Sequence, residues 1–61
     1  MKNEIIGKLA ALSLRLSRVG LPLAYGGVVV EASGDAFEDA LRFYRAAGWM
    51  AAHDLCAFFG G

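Results

Sequence analysis

Residues 35–59, DAFEDALRFYRAAGWMAAHDLCAFF, run about 24 positions without a proline, and how they are read decides the fold. Asp35 opens the segment with Glu38 three positions on, the pattern of a capped helix start, and Gly60 stops it. Phe37, Leu41, Tyr44, Gly48, Ala51, Leu55 and Phe58 recur at steps of four and three, which predicts one continuous helix with those residues turned inward. At about 100° per residue, Asp35, Glu38, Asp39, Arg42 and Arg45 gather on the opposite side, where the arginines are placed to bridge to the carboxylates. Exposed pairs of this kind contribute about 0.2–1 kcal/mol. Past Ala46 the charged side gives way to Trp49, Met50, Cys56 and Ala57 with His53 among them, so the second half is apolar nearly all round and needs cover on two sides. Gly48 with Ala47, Ala51 and Ala52 leaves the middle almost bare, which predicts that another helix crosses there at short range.

Upstream, residues 3–19, NEIIGKLAALSLRLSRV, place Ile5, Leu9, Leu12, Leu16 and Val19 on one helical stripe. Asn3 is the expected cap, Glu4 suits the positive end of the helix dipole, Arg15 and Arg18 suit the negative end, and Gly20 with Pro22 ends the helix. Ala10, Ser13 and Ser17 form a strip of small residues beside the stripe, whereas Leu14 points away from it.

The intervening GLPLAYGGVVVEASG, residues 20–34, is read as a third, short helix from Pro22 to about Ala32. The competing reading is a strand: three valines after a Gly-Gly pair favour extended backbone, but a lone strand would have to pair with its copy in a second subunit. The expected fold class is therefore mainly α. One domain over residues 1–61 has two long helices joined by a short helix or strand segment, and it is expected to be oligomeric.

Composition supports that expectation. At 61 residues and 57% hydrophobic, the chain carries more apolar side chain than a domain of this size usually encloses. Folding is worth roughly 80 to 90 kcal/mol of apolar burial against an ordering cost of about the same size, so the lone monomer is marginal. One cysteine and one histidine exclude an intrachain disulfide framework or a one-chain zinc site. The longest stretch without a charged residue or histidine, Val19 to Val30, is interrupted by Pro22 and three glycines and is too short to span a membrane. No signal-peptide core is present, and a cytoplasmic location is expected. Residues 1–20 hold four basic and one acidic side chain and residues 31–61 hold two basic and five acidic, a segregation of +3 against −3 that favours helix one lying on helix two, or one subunit's basic half on another's acidic half.

Reactive chemistry is sparse. Gly26-Gly27 lacks the following residues of a phosphate-binding loop, and Lys8, Arg15 and Arg18 make a thin basic patch for nucleic acid. His53 and Cys56, three apart on a helix, are the one pair with metal or nucleophilic potential, and across a twofold axis they would supply two His and two Cys. No residue is placed to orient His53 as a base except Asp54, which faces away by about 100°. No enzymatic activity and no cofactor are expected. The reading is a small protein–protein interaction module that pairs with itself and acts as an adaptor or an inhibitor of a larger protein, a size shared with inhibitors carried by phages and mobile elements. Its expected interface is Arg42, Arg45, Trp49, Met50, His53 and Cys56, with Arg45 stacked on the Trp49 ring. A peripheral membrane protein using Leu21 to Val30 and Phe58-Phe59 is the alternative, and a small DNA-binding regulator is the third reading.

Overall fold

In a computed structural model, the protein is described over residues 2–59, with side chains from Asn3 onward. The elements run α1 (Lys2–Arg18), β1 (Leu23–Tyr25), β2 (Val28–Val30), α2 (Ala36–Ala47) and α3 (Trp49–Phe58). The mainly helical class holds, and several of the sequence expectations need correction.

Helix α1 forms where its apolar stripe predicts, and Ile5, Leu9 and Leu12 are buried together with Ile6 and Ser13. Asn3 lies inside its first turn, so it is not the cap. At the other end Gly20 adopts φ 76°, its N–H donates to the Ser17 carbonyl at 3.1 Å, and the Leu21 N–H donates to the Leu16 carbonyl at 2.9 Å. That pair of bonds is the Schellman arrangement, which satisfies the last carbonyls and turns the chain. Val19, one position past the helix, is exposed.

The short helix expected over Pro22 to Ala32 is a β-hairpin. Leu23 pairs with Val30, Ala24 with Val29 and Tyr25 with Val28, in antiparallel register. Gly26 at φ 61° and Gly27 at φ 87° form the two-residue turn, and positive φ at both central residues is the type I′ signature whose twist matches the flanking strands. The valines therefore find their partner inside the chain and need no second subunit. Period-two alternation sends Leu23 and Val30 into the core and leaves Ala24 and Val29 exposed. An isolated hairpin is marginal in water, and here β2 rests on α2.

The expected single helix over 35–59 is two helices broken at Gly48, which sits at φ 91°, ψ 171°. That region is open essentially to glycine alone. A Cβ built at Gly48 would meet nothing within 4 Å, so the residue marks a backbone break and no close helix crossing. The break resets the helical phase. Phe37 and Phe58, expected in the core, are exposed, and the buried positions are Asp39, Ala40 and Phe43 on α2 and Ala52, Leu55 and Cys56 on α3. Phe43, Leu9, Leu23 and Leu55, from α2, α1, β1 and α3, are all nearly inaccessible, so the four elements meet in one core. Helix α1 packs chiefly on α2, as the charge segregation favours. The stop assigned to Gly60 lies outside the described residues.

Asp39, assigned to the exposed charged side, is only 2% exposed. Its Oδ1 accepts the Ser33 hydroxyl at 2.7 Å and its Oδ2 accepts the Ser33 N–H at 3.0 Å, which ties the loop after β2 to the first turn of α2. Asp35 caps the helix as expected, accepting the Glu38 N–H at 3.1 Å. Arg42 bridges as expected, 3.8 Å from Asp39 and 3.9 Å from Glu38. The Ser33 hydroxyl and then its N–H hold the Asp39 carboxyl below the ordinary aspartate range; burial opposes them and Arg42 adds to them.

Two predictions follow from these corrections. Gly48→Ala and Gly48→Leu should each destabilise by about 1–3 kcal/mol and by similar amounts in urea unfolding, because the cost is in φ and ψ. A harmless alanine beside a severe leucine would indicate crowding. Asp39→Asn should cost on the order of 2 kcal/mol at pH 7, since hydrogen bonds to a charged acceptor are the strong ones. A depressed native pKa stabilises above the unfolded value of about 3.9, and that stabilisation is lost as pH falls through the native value, so the variant's deficit should shrink below about pH 4. An equal deficit at pH 7 and pH 3 would contradict the ionised bond.

Candidate functional site

Helix α3 follows the break with no side-chain cap, and its roll is set by the core. Ala52, Leu55 and Cys56 face inward, with Ala51 half-buried beside them. Every other position of the helix, Trp49, Met50, His53, Asp54, Ala57 and Phe58, is exposed. At about 100° per residue those six cover half the circumference, with Met50 and Ala57 on the midline, His53 and Asp54 on either side of it, and Trp49 and Phe58 at the margins. Four of the six are apolar. Trp49 is 51% exposed, Met50 74% and Phe58 76%, which is uncommon for three large side chains on one short helix.

The Trp49 and His53 rings are stacked, with centroids 5.2 Å apart and planes inclined by 26°. The ring shown lying on Trp49 is thus His53, where Arg45 was expected. The break at Gly48 puts Arg45 and Trp49 on separate helices. At the far end Phe58 meets Phe59 edge to face at 5.2 Å. These ring contacts hold Trp49 and Phe58 in place without burying them, which lowers the entropy lost when a partner covers them.

Of the six residues expected at an interface, α3 brings Trp49, Met50 and His53 onto one surface. Arg42 and Arg45 are exposed on α2, beyond the break. Cys56 is turned into the core and only 5% exposed, so it cannot belong to a surface shared with His53. The two-His, two-Cys site across a twofold axis loses its sulfur ligands for the same reason. Burial pushes the Cys56 thiol up, with Lys8 acting weakly against it, the opposite of what a nucleophile or metal ligand requires. Sequence reasoning missed Asp54 and Phe58. No local signal separates the two rolls of α3, because Ala51-Leu55-Phe58 and Ala52-Leu55-Cys56 are both regular helical faces.

No other place in the described residues gathers reactive groups. No cluster of three or more His, Cys, Asp and Glu that could hold a metal occurs among them. A shallow depression lined by Leu14, Ser17, Ala32, Gly34, Ala36 and Asp39 contains one carboxylate, and both its oxygens are engaged by Ser33. No described helix is long and apolar enough to cross a membrane. Compared with protein-family models, curated proteins and solved structures, the chain finds no match in any of the three.

The Cys56 environment gives a direct check. At pH 8 the folded protein's thiol should react with a disulfide reagent about tenfold or more slowly than that of the urea-unfolded chain. Equal rates would mean that α3 is rolled differently and presents Cys56 outward.

Proposed function

We propose that this protein is a small non-catalytic interaction module that binds protein through the outer face of α3. The observation that carries the reading is the surface formed by Trp49, Met50 and Phe58, large apolar side chains that stay half or more exposed while the rest of α3 seals the core. Aromatic residues and methionine are enriched at protein interfaces, and a Trp fixed by a neighbouring ring is a typical anchor. The lone imidazole and lone carboxylate between them, His53 and Asp54, can fix the register of a partner without making the face strongly charged. Self-pairing, an adaptor role and inhibition of a larger protein all use such a face.

A lipid surface fits it less well. Helices that lie in a bilayer interface usually flank the apolar side with Lys and Arg, and here the face carries Asp54 and no basic residue. Nucleic acid is left with Lys8, Arg15 and Arg18 on α1, a thin basic set.

Trp49→Ala tests the reading. Its side chain contributes little to the core, so helical circular dichroism should be retained, while capture of protein partners, its own copies included, should weaken about tenfold or more. Retained helix with unchanged capture would reject the face. Flotation with liposomes would favour the lipid reading.

A further inference from the structure

We infer that the occupant of the α3 face is a second copy of this chain, packed parallel about a twofold axis that runs along the helix, with His53 of each copy against Asp54 of the other. The inference rests on the reading of that face as the binding surface and names its partner. Three properties of the face lead to it.

The first is charge placement. Met50 and Ala57 are seven residues apart on the midline, and His53 and Asp54 lie about 50° to either side of it. In a parallel pair, a twofold axis along the helices exchanges left and right at constant height. It sets His53 opposite Asp54 of the partner subunit, twice, and sets Met50 opposite its own copy. An antiparallel pair keeps each flank on its own side, so Asp54 meets Asp54 of the partner subunit and carboxylates are brought together. The face is complementary to itself in the first arrangement and self-repelling in the second. Stacking on Trp49 occupies the flat side of the His53 ring and leaves its nitrogen-bearing edge available to accept or donate across the axis.

The second property is area. The exposed parts of Trp49, Met50, Phe58 and the three smaller residues between them amount to roughly 600 Å², or about 1,200 Å² for the pair, the lower bound of a standard interface. A face of that size suits one more short helix. A pair at the lower bound of interface size is expected to be weak, with dissociation on the order of micromolar or above, and its strength is set by how well the face packs, since area alone does not set affinity.

The third property is shape. Ala57 leaves a low point on the midline one full heptad from Met50, and this allows close approach at the carboxyl end while Met50 packs on its copy at the other. Trp49 and Phe58 then close over the margins and keep water from the two imidazole–carboxylate contacts.

Sedimentation equilibrium of the full chain from 1 to 500 µM, combined with charge swaps, tests the proposal. The wild type should dimerise. Asp54→Lys and His53→Glu should each weaken the dimer about tenfold, and the double variant should recover to within about threefold of wild type, because the swapped pair faces across a parallel axis. With Cys56→Ser as background, Met50→Cys should form a covalent dimer under mild oxidation, since a parallel axis sets position 50 against its own copy. Far-ultraviolet circular dichroism of each variant checks that α3 is intact. A monomeric wild type at 500 µM overturns the self-pairing. If Trp49→Ala still impairs capture of another protein, the binding face survives and its occupant is that protein. If Trp49→Ala impairs nothing, both readings fail. A dimer that neither recovers in the double variant nor cross-links at position 50 overturns the parallel arrangement.

Discussion

The backbone at Gly48 is the constraint on which the rest depends. Its φ of 91° with ψ of 171° lets the chain leave α2 and start α3 within one residue, at a new roll and direction. Gly48 closes both helices, since its N–H donates to the Tyr44 carbonyl at 2.9 Å and its carbonyl accepts from the Ala52 N–H at 3.1 Å. What changes is which side chains look inward. Continued straight at about 100° per residue, the phase of Asp39, Ala40 and Phe43 would turn Met50, Asp54 and Phe58 under, whereas the break turns Ala52, Leu55 and Cys56 under and leaves Trp49, Met50 and Phe58 out. The core and the exposed apolar face of α3 are consequences of the same residue.

Much of the fold was legible because local signals agreed with the tertiary demand. The α1 stripe, the Gly20 stop, the Asp35 cap and the Arg42 pairs each rest on spacings a few residues long. The hairpin escapes the reading of Pro22 to about Ala32 as one short helix, although Ala24-Tyr25-Gly26-Gly27-Val28-Val29 carries the Gly-Gly hairpin signal, because the competing strand is considered only with a partner in a second subunit and not with the residues just before the turn. The α2–α3 break was misread for a different reason. A helix tolerates an isolated glycine at about 1 kcal/mol, and nothing within a few residues distinguishes a tolerated glycine from one at positive φ. Asp39 shows the limit of periodicity in another way: its inward position depends on Ser33, six residues earlier, supplying two donors, and no helical repeat reports a loop residue.

The candidate surface was legible in part. Trp49, Met50 and His53 stood out as apolar or aromatic residues on a side that had begun charged. Cys56 is placed with them, and Phe58 apart from them, by an inward stripe through Ala51, Leu55 and Phe58, whereas the core takes Ala52, Leu55 and Cys56. Total exposure is ordinary: the chain presents 3937 Å², against roughly 3,800 Å² expected for a folded monomer of this mass. Association is therefore favoured by the kind of side chains that cover α3 and not by the total surface of the chain. A surface of ordinary size can still carry an apolar face.

The outward roll of α3 is the central claim, and Trp49, the only tryptophan, reports on it directly. Its fluorescence should be measured on the wild-type chain diluted to submicromolar concentration, where a dimer of the expected strength is dissociated. The account predicts red-shifted emission and efficient quenching by acrylamide in the folded protein, with a blue shift and protection as the concentration is raised. Blue-shifted, quencher-resistant emission at every dilution, in a chain that is folded and monomeric, would place Trp49 inside and contradict the account.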